Sequence, residues 1–323
     1  MARDSVKIIF GGAPIGPGFS STFADEESIE KVYKLLEEGG CDTIDTARRY
    51  FNSEEWMGKT GAGKRFTIDS KTPGGFEPGA STRENIPVHA KETVERLGVK
   101  SVDVYYIHAP DPAIELEEQL HAINEAYKAG YFKRFGLSNF KAADVQRAYD
   151  FCKANGYPLP TVYQANYSAA ARRAETELLP TLRKLGITFY VYSPIAGGLL
   201  LKTAEQLRDG SVEGRFGKDN FMRGLYDALY NKPSYYKALE MWGEAAKEAD
   251  CSKAELAYRW VAFDSAVDPA YGDAVIFGAS SHAQIAETLE FFKRGSVGEA
   301  AKAKIDEIWK VIEHDAPLDN YNR

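Results

Sequence analysis

The chain has 323 residues, of which 44% are hydrophobic and 27% charged, and its formal net charge is −7 at pH 7. This composition is typical of globular proteins and excludes a disordered, collagen-like or disulfide-scaffold chain. The acidic balance argues against a nucleic-acid partner and against binding to an anionic membrane. No apolar stretch approaches about 18 residues and no secretory signal is visible, so no membrane association is expected. The three cysteines are widely spaced and odd in number, which favours reduced thiols and a cytoplasmic location.

Eight strand patterns alternate with helical patterns along the chain. The strands are predicted at 6–11, 42–45, 66–71, 102–108, 134–137, 162–165, 187–192 and 274–277. Several of them are apolar at consecutive positions, as in ITFYVYS and AVIFG, which is typical of parallel strands buried on both faces.

Helices are predicted between these strands and after the last one. Their ranges are 25–39, 81–97, 116–129, 142–154, 175–185, 234–249, 253–261 and 299–312. A long loop is expected over 196–233, after the seventh strand, and a helix should begin at Ser280-Ser281. The pattern predicts one (β/α)₈ TIM barrel domain over residues 1–323, with additional helices.

Polar side chains stand where the predicted strands end. Because the carboxyl ends of all the strands meet at one mouth of such a barrel, these residues should lie together. They are Asp45 with nearby Tyr50, Lys71, His108, Ser138-Asn139, Gln164, Tyr192-Ser193 and the stretch 278–281. Each has a structural alternative, such as a helix cap for Asp45 or a buried histidine for His108. Their convergence at one mouth is much harder to explain by chance.

Tyrosine, lysine, aspartate and histidine form a coherent set for reducing a carbonyl group. A tyrosine titrates near pH ~10, and a nearby ammonium lowers its pKa by stabilising the phenolate. A carboxylate keeps that ammonium charged, and a histidine can orient a carbonyl substrate. The set suits proton donation to a carbonyl oxygen while a hydride reaches the carbon.

The sequence resembles the aldo-keto reductases, and among them the branch of aflatoxin-aldehyde and succinic-semialdehyde reductases. The resemblance runs almost end to end. Its segments are IDTARRY (44–50), IDSK (68–71), VDVYYIHAPD (102–111), FGLSNF (135–140), LPTVYQANYS (159–168), RRAETELLPTLRKLGITFYVYSPIAGGLL (172–200), GRF (214–216) and GDAVIFGASS (272–281). It implies an NADPH-dependent carbonyl reductase whose catalytic residues are Asp45, Tyr50 as the acid, Lys71 and His108. A homodimer is also expected by resemblance.

The resemblance further implies the residues that bind NADPH or NADP+. They are Ser138, Asn139, Gln164, Tyr192, Ser193, Pro194, Ala196, Gly197, Gly198, Leu199, Lys202, Arg215, Gly278, Ser280, Ser281, Gln284 and Glu287. Independent chemistry supports this placement, because two amide side chains suit a carboxamide and glycines allow close backbone approach to a pyrophosphate. Free N–H groups at a helix start near Ser280 would attract a phosphate.

The substrate should meet Phe51, Trp56, His108, Tyr226 and Arg323. The branch usually carries two arginines around 226–230, one of which binds a substrate carboxylate, whereas this chain has Asp227 and Leu229 there. This departure favours neutral or aromatic carbonyl substrates. Two further departures are Thr288 near the adenine end and Ser193 in the loop after the seventh strand.

One alternative function remains at this point. This barrel also serves as a non-catalytic, cofactor-sensing regulatory subunit in potassium-channel accessory proteins, and such subunits can retain the four catalytic residues. No metal site is expected, because the five histidines form no HExxH motif and no CxxC motif is present.

Overall fold

Eight parallel strands close into a barrel in which each strand pairs with its neighbours in chain order. The computed structural model describes residues 6–19 and 21–322. The strands are β1 (Lys7–Gly11), β2 (Thr43–Asp45), β3 (Thr67–Thr72), β4 (Val102–Ile107), β5 (Phe132–Ser138), β6 (Pro160–Asn166), β7 (Thr188–Tyr192) and β8 (Ala274–Phe277). The predicted barrel is therefore confirmed, and β1 completes it by pairing with β8.

Helices surround the barrel and connect its strands. They are α1 (Glu26–Glu38), α2 (Ser53–Lys59), α3 (Asn85–Leu97), α4 (Leu116–Lys128), α5 (Ala142–Asn155), α6 (Ala174–Glu177), α7 (Leu179–Leu185), α8 (Ala204–Asp209), α9 (Arg223–Tyr230), α10 (Pro233–Glu248), α11 (Lys253–Arg259), α12 (His282–Phe291) and α13 (Glu299–Ile312). None of the described helices is both long and apolar enough to span a bilayer.

The helix ends follow local signals in the sequence. Asp25 caps α1 and forms a reciprocal capping box with Ser28. Gly98, Gly156 and Gly186 end α3, α5 and α7 in the left-handed conformation that glycine adopts without strain. The helix predicted at 175–185 is instead divided into α6 and α7, because Pro180 lies in the first turn of the second segment and begins a new helix.

The stretch after β7 is more ordered than the predicted loop. It contains α8 and α9 together with short 3₁₀ turns at Ala196–Leu201 and Gly214–Phe216. A capping box between Thr203 and Gln206 starts α8, and that signal is readable in the sequence. The stretch therefore covers part of the barrel mouth as a folded segment.

The apolar core consists of two clusters, one outside the ring of strands and one inside it. The larger cluster lies between the strands and the helices. The smaller one contains Ile9, Val104, Tyr106, Val162, Tyr190, Ala274 and Ile276 and fills the barrel interior. A filled interior closes the barrel from below, so the polar residues at the strand ends face only the mouth.

Candidate active site

A buried ion pair between Lys71 and Asp45 lies at the centre of the barrel mouth. Lys71 Nζ donates to both carboxylate oxygens of Asp45, at 2.7 and 2.6 Å, and to the carbonyl oxygen of Thr46 at 2.7 Å. Gln164 Nε2, from β6, donates to Asp45 Oδ1 at 2.8 Å. The carboxylate thus joins β2, β3 and β6 across the barrel.

The surroundings of Lys71 keep its ammonium group charged. Burial by itself lowers the pKa of Lys71, but the charge of Asp45 and the nearby Tyr50 outweigh this and raise it above its usual value. A permanent positive charge therefore lies under the phenol of Tyr50, whose ring centroid is 5.3 Å from Lys71 Nζ.

Tyr50 is half-buried in a short turn that follows β2. The backbone N–H of Arg48 donates to the carbonyl oxygen of Lys71, and that of Tyr50 donates to the carbonyl oxygen of Ala47. The next residue, Phe51, has a positive φ of 46°, which turns the chain away from the mouth. These bonds fix Tyr50 beside Lys71.

The acidity of Tyr50 is determined by two opposing effects. Burial raises the pKa of its hydroxyl, and the charge of Lys71 lowers it, with a net value above that of a free tyrosine. The lowering expected from the ammonium is present, but burial outweighs it. The phenol consequently keeps its proton at neutral pH and can serve as a donor.

His108 faces Tyr50 from the end of β4. The two ring centroids are 5.7 Å apart in an edge-on arrangement. Burial, together with the positive charges of Lys71 and Arg49, lowers the pKa of His108 well below its usual value. Its buried Nδ1 has no hydrogen-bond partner within residues 6–19 and 21–322. His108 is therefore a neutral imidazole with hydrogen-bonding capacity left for a substrate.

The predicted nicotinamide contacts form a hydrogen-bonded group next to these residues. Asn139 Nδ2 donates to the carbonyl oxygen of His108 at 2.8 Å and to Ser138 Oγ at 3.1 Å. The hydroxyl of Tyr192 donates to Asn139 Oδ1 at 2.9 Å. Gln164 in turn donates a hydrogen bond to Asp45. The amide side chains and the Tyr192 ring predicted to contact the cofactor therefore lie next to Asp45 and His108.

The loop after β7 has an unusual backbone. Ser193, Ala196, Gly197 and Gly198 all have positive φ angles, and the space that a Cβ atom of Gly198 would occupy is open. The N–H groups of Ala196 and Gly198 donate within the loop, to the carbonyl oxygens of Ser193 and Ile195 at 2.8 and 3.0 Å, so the loop offers a ligand the open space at Gly198. Within the same loop Pro194, Ala196 and Leu199 are buried, so only their backbone could reach a ligand.

The predicted phosphate-binding residues at the far side lie at an exposed helix start. Ser281 caps α12 by accepting from the backbone N–H of Gln284, and Ser280 donates to the side chain of Gln284. Gly278, Ser280, Gln284 and Glu287 are exposed. The backbone carbonyl oxygen of Lys202 accepts a hydrogen bond from Lys253 Nζ at 2.8 Å, and Lys202 itself is half-exposed.

Tyr226 differs from its expected role as a substrate contact. It is 1% exposed, packs directly beneath Gly197 and bonds the guanidinium of Arg215 through its hydroxyl. A Cβ atom on Gly197 would lie 1.9 Å from its ring, so glycine is required there. Tyr226 therefore supports the glycine turn and positions Arg215.

Three aromatic side chains from different segments line the rim of the mouth. Phe51 is 52% exposed and Phe221 is 66% exposed. Phe19 contacts both edge-on, with ring centroids 6.2 Å from Phe51 and 6.0 Å from Phe221. Trp56, also expected there, packs against Gly16 in the loop after β1, and Lys59 Nζ lies 4.4 Å from the centroid of its ring. Arg323 lies outside the described residues.

The positions that depart from the family pattern have structural roles. Leu229 is 2% exposed on the buried face of α9, and Asp227 pairs with Arg223 at 3.1 Å. The Leu229 side chain is therefore packed in the core and supplies no cation to the mouth. Thr288 is buried in α12.

The sequence reasoning missed an aromatic wall beside His108. Phe76 lies edge-on to His108 at 4.9 Å and to Tyr321 at 5.2 Å. Asn322 Nδ2 donates to the backbone carbonyl oxygen of Asn139 at 2.8 Å. The end of the chain thus reaches the catalytic residues, a contact that no local sequence signal marks.

Comparison with known proteins agrees with this geometry. The model of the aldo/keto reductase family matches residues 7–310. The chain belongs to the aldo-keto reductase family. Oxidoreductase sirO of Leptosphaeria maculans is 37% identical over 97% of each chain. Aflatoxin B1 aldehyde reductase member 2 of Rattus norvegicus is 32% identical over 100% of this chain and 92% of its own, and the Homo sapiens protein of that name is 33% identical over 92% and 85%.

The family and branch read from the sequence are thereby confirmed. As an aldo-keto reductase, the protein is an oxidoreductase that acts on small carbonyl compounds with a nicotinamide cofactor. The amide group, the open space at Gly198 and the exposed start of α12 together fit such a cofactor, since they offer carboxamide partners and room for its phosphates.

Replacing Lys71 by methionine should destabilise the fold strongly, because it leaves the buried Asp45 carboxylate without its cation. We expect a loss of roughly 3–5 kcal/mol in the free energy of unfolding, measured by urea titration. The matched control is the double variant Asp45→Asn/Lys71→Met, which removes both charges and should recover part of that loss. A single variant as stable as the wild type would contradict the interpretation of this ion pair.

Proposed function

We propose that this aldo-keto reductase reduces an aldehyde or ketone to an alcohol, with Tyr50 as the proton donor and NADPH as the cofactor. The observation that supports this proposal best is that the phenol of Tyr50 lies between the charged Lys71 and the neutral His108. Bound NADPH supplies the hydride. The residues of this chain bind and orient the two reactants and provide the proton.

Tyr50 donates its proton to the carbonyl oxygen as negative charge develops there. Lys71 stabilises the phenolate that remains, and Asp45 prevents the ammonium from losing its charge in this buried position. His108 is neutral and can donate an N–H hydrogen bond that aligns the carbonyl oxygen with the phenol.

The cofactor would be held along the rim of the barrel mouth. Ser138, Asn139 and Gln164 would bind the carboxamide, and Tyr192 would stack on the nicotinamide ring. The turn at Gly197-Gly198 would receive the pyrophosphate, and the start of α12 with Lys202 and Arg215 would receive the adenosine phosphate. The open space at Gly198 and the exposed Ser280 support this placement.

Replacing Tyr50 by phenylalanine should lower kcat for carbonyl reduction by roughly 10²–10⁴-fold, because a positioned acid is lost. The binding of NADPH, followed by fluorescence quenching, should change little. Tyr127→Phe serves as the matched control, since it removes a phenol hydroxyl from an exposed tyrosine on α4. Near wild-type turnover in the Tyr50 variant would show that another group supplies the proton.

NADPH should be preferred over NADH, because the helix start and the basic residues provide a partner for the additional phosphate. A charged hydrogen bond is worth roughly 1.5–3 kcal/mol, so kcat/KM should differ by about tenfold or more. Thermal shifts with NADP+ and NAD+ give a readout that is independent of turnover. Equal values for both cofactors would overturn this assignment.

Neutral or aromatic carbonyl compounds are the proposed substrates. The rim offers Phe19, Phe51 and Phe221, and three arginines of the mouth loops already have partners. Arg49 pairs with Glu77, Arg215 bonds Tyr226, and Arg223 pairs with Asp227. An anionic substrate would have to compete with these contacts for a cation.

An uncharged aldehyde should therefore exceed succinic semialdehyde in kcat/KM by about tenfold. Pentanal and benzaldehyde, assayed with the same enzyme preparation, compare chain length and aromatic character in parallel. A preference for the carboxylate-bearing aldehyde would contradict the proposed substrate class and leave the reductase activity intact.

We also propose a homodimer in the cytoplasm, from the resemblance and the cysteine usage respectively. Light scattering during size-exclusion chromatography would test the first, and fractionation of the source cells the second.

A further inference from the structure

The interior of the barrel contains a carboxyl group that the reaction described above does not use. Asp69 lies on β3, two residues before Lys71, and is 1% exposed. Residues two apart on a strand point to the same face, with Cα atoms about 6.6 Å apart. Asp69 is also the register partner of Asp45 on β2. It therefore lies directly below the buried ion pair.

Asp69 is poorly compensated for a buried carboxyl group. Its Oδ1 accepts one hydrogen bond, from the backbone N–H of Val104 at 3.1 Å. Its Oδ2 is buried and has no hydrogen-bond partner in the described part of the chain, and the same holds for the hydroxyl of Tyr106. The two nearby cations pair with other carboxylates and not with Asp69. Lys71 pairs with Asp45, and Arg134 pairs with Asp103.

The charged and titratable groups that face Asp69 come from five strands. They are Asp45 on β2, Lys71 on β3, Asp103 and Tyr106 on β4, Arg134 on β5 and Tyr190 on β7. The other strands present Ile9, Val162, Ala274 and Ile276 to the interior. Burial first, then the charges of Asp45 and Asp103, raise the pKa of Asp69 to about 7, against the effects of the Val104 N–H and Arg134.

We propose that Asp69 is a positioning residue that sets the acidity of Tyr50 through Lys71. When Asp69 is ionised, its negative charge raises the pKa of Lys71 and adds to the field against the phenolate of Tyr50. When Asp69 is protonated, the field is weaker and Tyr50 is a stronger acid. This role rests on the proposed function, because it presumes that Tyr50 exchanges a proton with the substrate.

The direction of the effect is clearest in the reverse reaction, alcohol oxidation. There the alcohol gives its hydride to bound NADP+ and its proton to the phenolate of Tyr50, so the rate rises with the phenolate fraction. Asp69→Asn keeps an oxygen for the Val104 N–H and removes the charge. Above neutral pH, where Asp69 is ionised in the wild type, the variant should contain more phenolate. Below neutral pH the two proteins should behave alike.

The experiment compares single-turnover alcohol oxidation in the wild type and Asp69→Asn at pH 5.5 and pH 9. We expect a rate ratio near one at pH 5.5 and about a tenfold faster variant at pH 9, since a shift of roughly one unit in the pKa of Tyr50 changes its phenolate fraction about tenfold. The control is Glu54→Gln. Glu54 is a buried carboxyl group on α2 that accepts hydrogen bonds from Ser70 on β3 and Thr93 on α3. This variant should leave the ratio at one at both pH values.

A second readout needs neither cofactor nor substrate. A folded-state pKa raised above that of the unfolded chain means that the stability contributed by Asp69 falls as pH rises toward 7. Between pH 5 and pH 8, the free energy of unfolding of the wild type should therefore fall relative to that of Asp69→Asn. Asp69→Thr, which also offers an oxygen to Val104, provides a second variant if the asparagine protein folds poorly.

Four outcomes distinguish a failure of the role of Asp69 from a failure of the proposed function. A rate ratio that does not change with pH in an active Asp69→Asn protein overturns the role of Asp69, as does an equal change in Glu54→Gln. A stability difference that does not change with pH also overturns it, because Asp69 would then not titrate in the folded chain. A wild type that turns over no carbonyl compound or alcohol at all overturns the proposed function instead.

Discussion

The buried ion pair between Lys71 and Asp45 is the interaction on which the site depends. Neither charge could remain in the interior alone, since the desolvation cost of a single buried ion is several kcal/mol. Together they join β2 and β3, and Gln164 extends the link to β6. The same ammonium holds the carbonyl oxygen of Thr46, which begins the turn that carries Tyr50. The ion pair therefore stabilises the mouth and positions the acid at once.

The layer of side chains just below this ion pair is largely apolar, which raises both the cost of burying the two charges and the strength of their attraction. Ile9, Val162 and Ile276 exclude water from below, which strengthens the electrostatic interaction between Lys71 and Tyr50. The same exclusion acts against any carboxyl group without a cation. Asp69 is such a carboxyl group, because it lies inside the apolar layer and accepts a single hydrogen bond, from the backbone N–H of Val104.

The fold and the candidate catalytic residues could be predicted from the sequence in part. Buried parallel strands are apolar at consecutive positions, and each strand that ends in a polar residue brings that residue to the common mouth. His108 directly follows such an apolar run, whereas Asp45 and Lys71 lie at the ends of short strands with a single isoleucine each, and the spacing of the strands and the family resemblance marked them. The wall formed by Phe76 and Tyr321 could not, since their contact joins segments far apart in the chain.

The orientation of Leu229 could not be predicted for a different reason. An alignment position states which residue type a family uses, whereas the side chain of a short helix faces the core or the mouth according to its rotation. In α9, Tyr226, Leu229 and Tyr230 share the buried face, at the three- and four-residue spacing of a helix. Only the structure showed that an alignment column associated with substrate binding falls on that face here.

The distribution of the mouth residues separates what is fixed from what can vary. The acid, its ammonium and the neutral imidazole lie on strand ends or in a turn bonded to them, so the barrel itself determines their geometry. The rim is built from Phe19 after β1, Phe51 after β2 and Phe221 after β7, each on a connecting segment. Connecting segments tolerate substitution and insertion far better than barrel strands do. The proposed preference for neutral or aromatic substrates therefore rests on these three rings, which contact one another on connecting segments, and not on the residues of the ion pair beneath them.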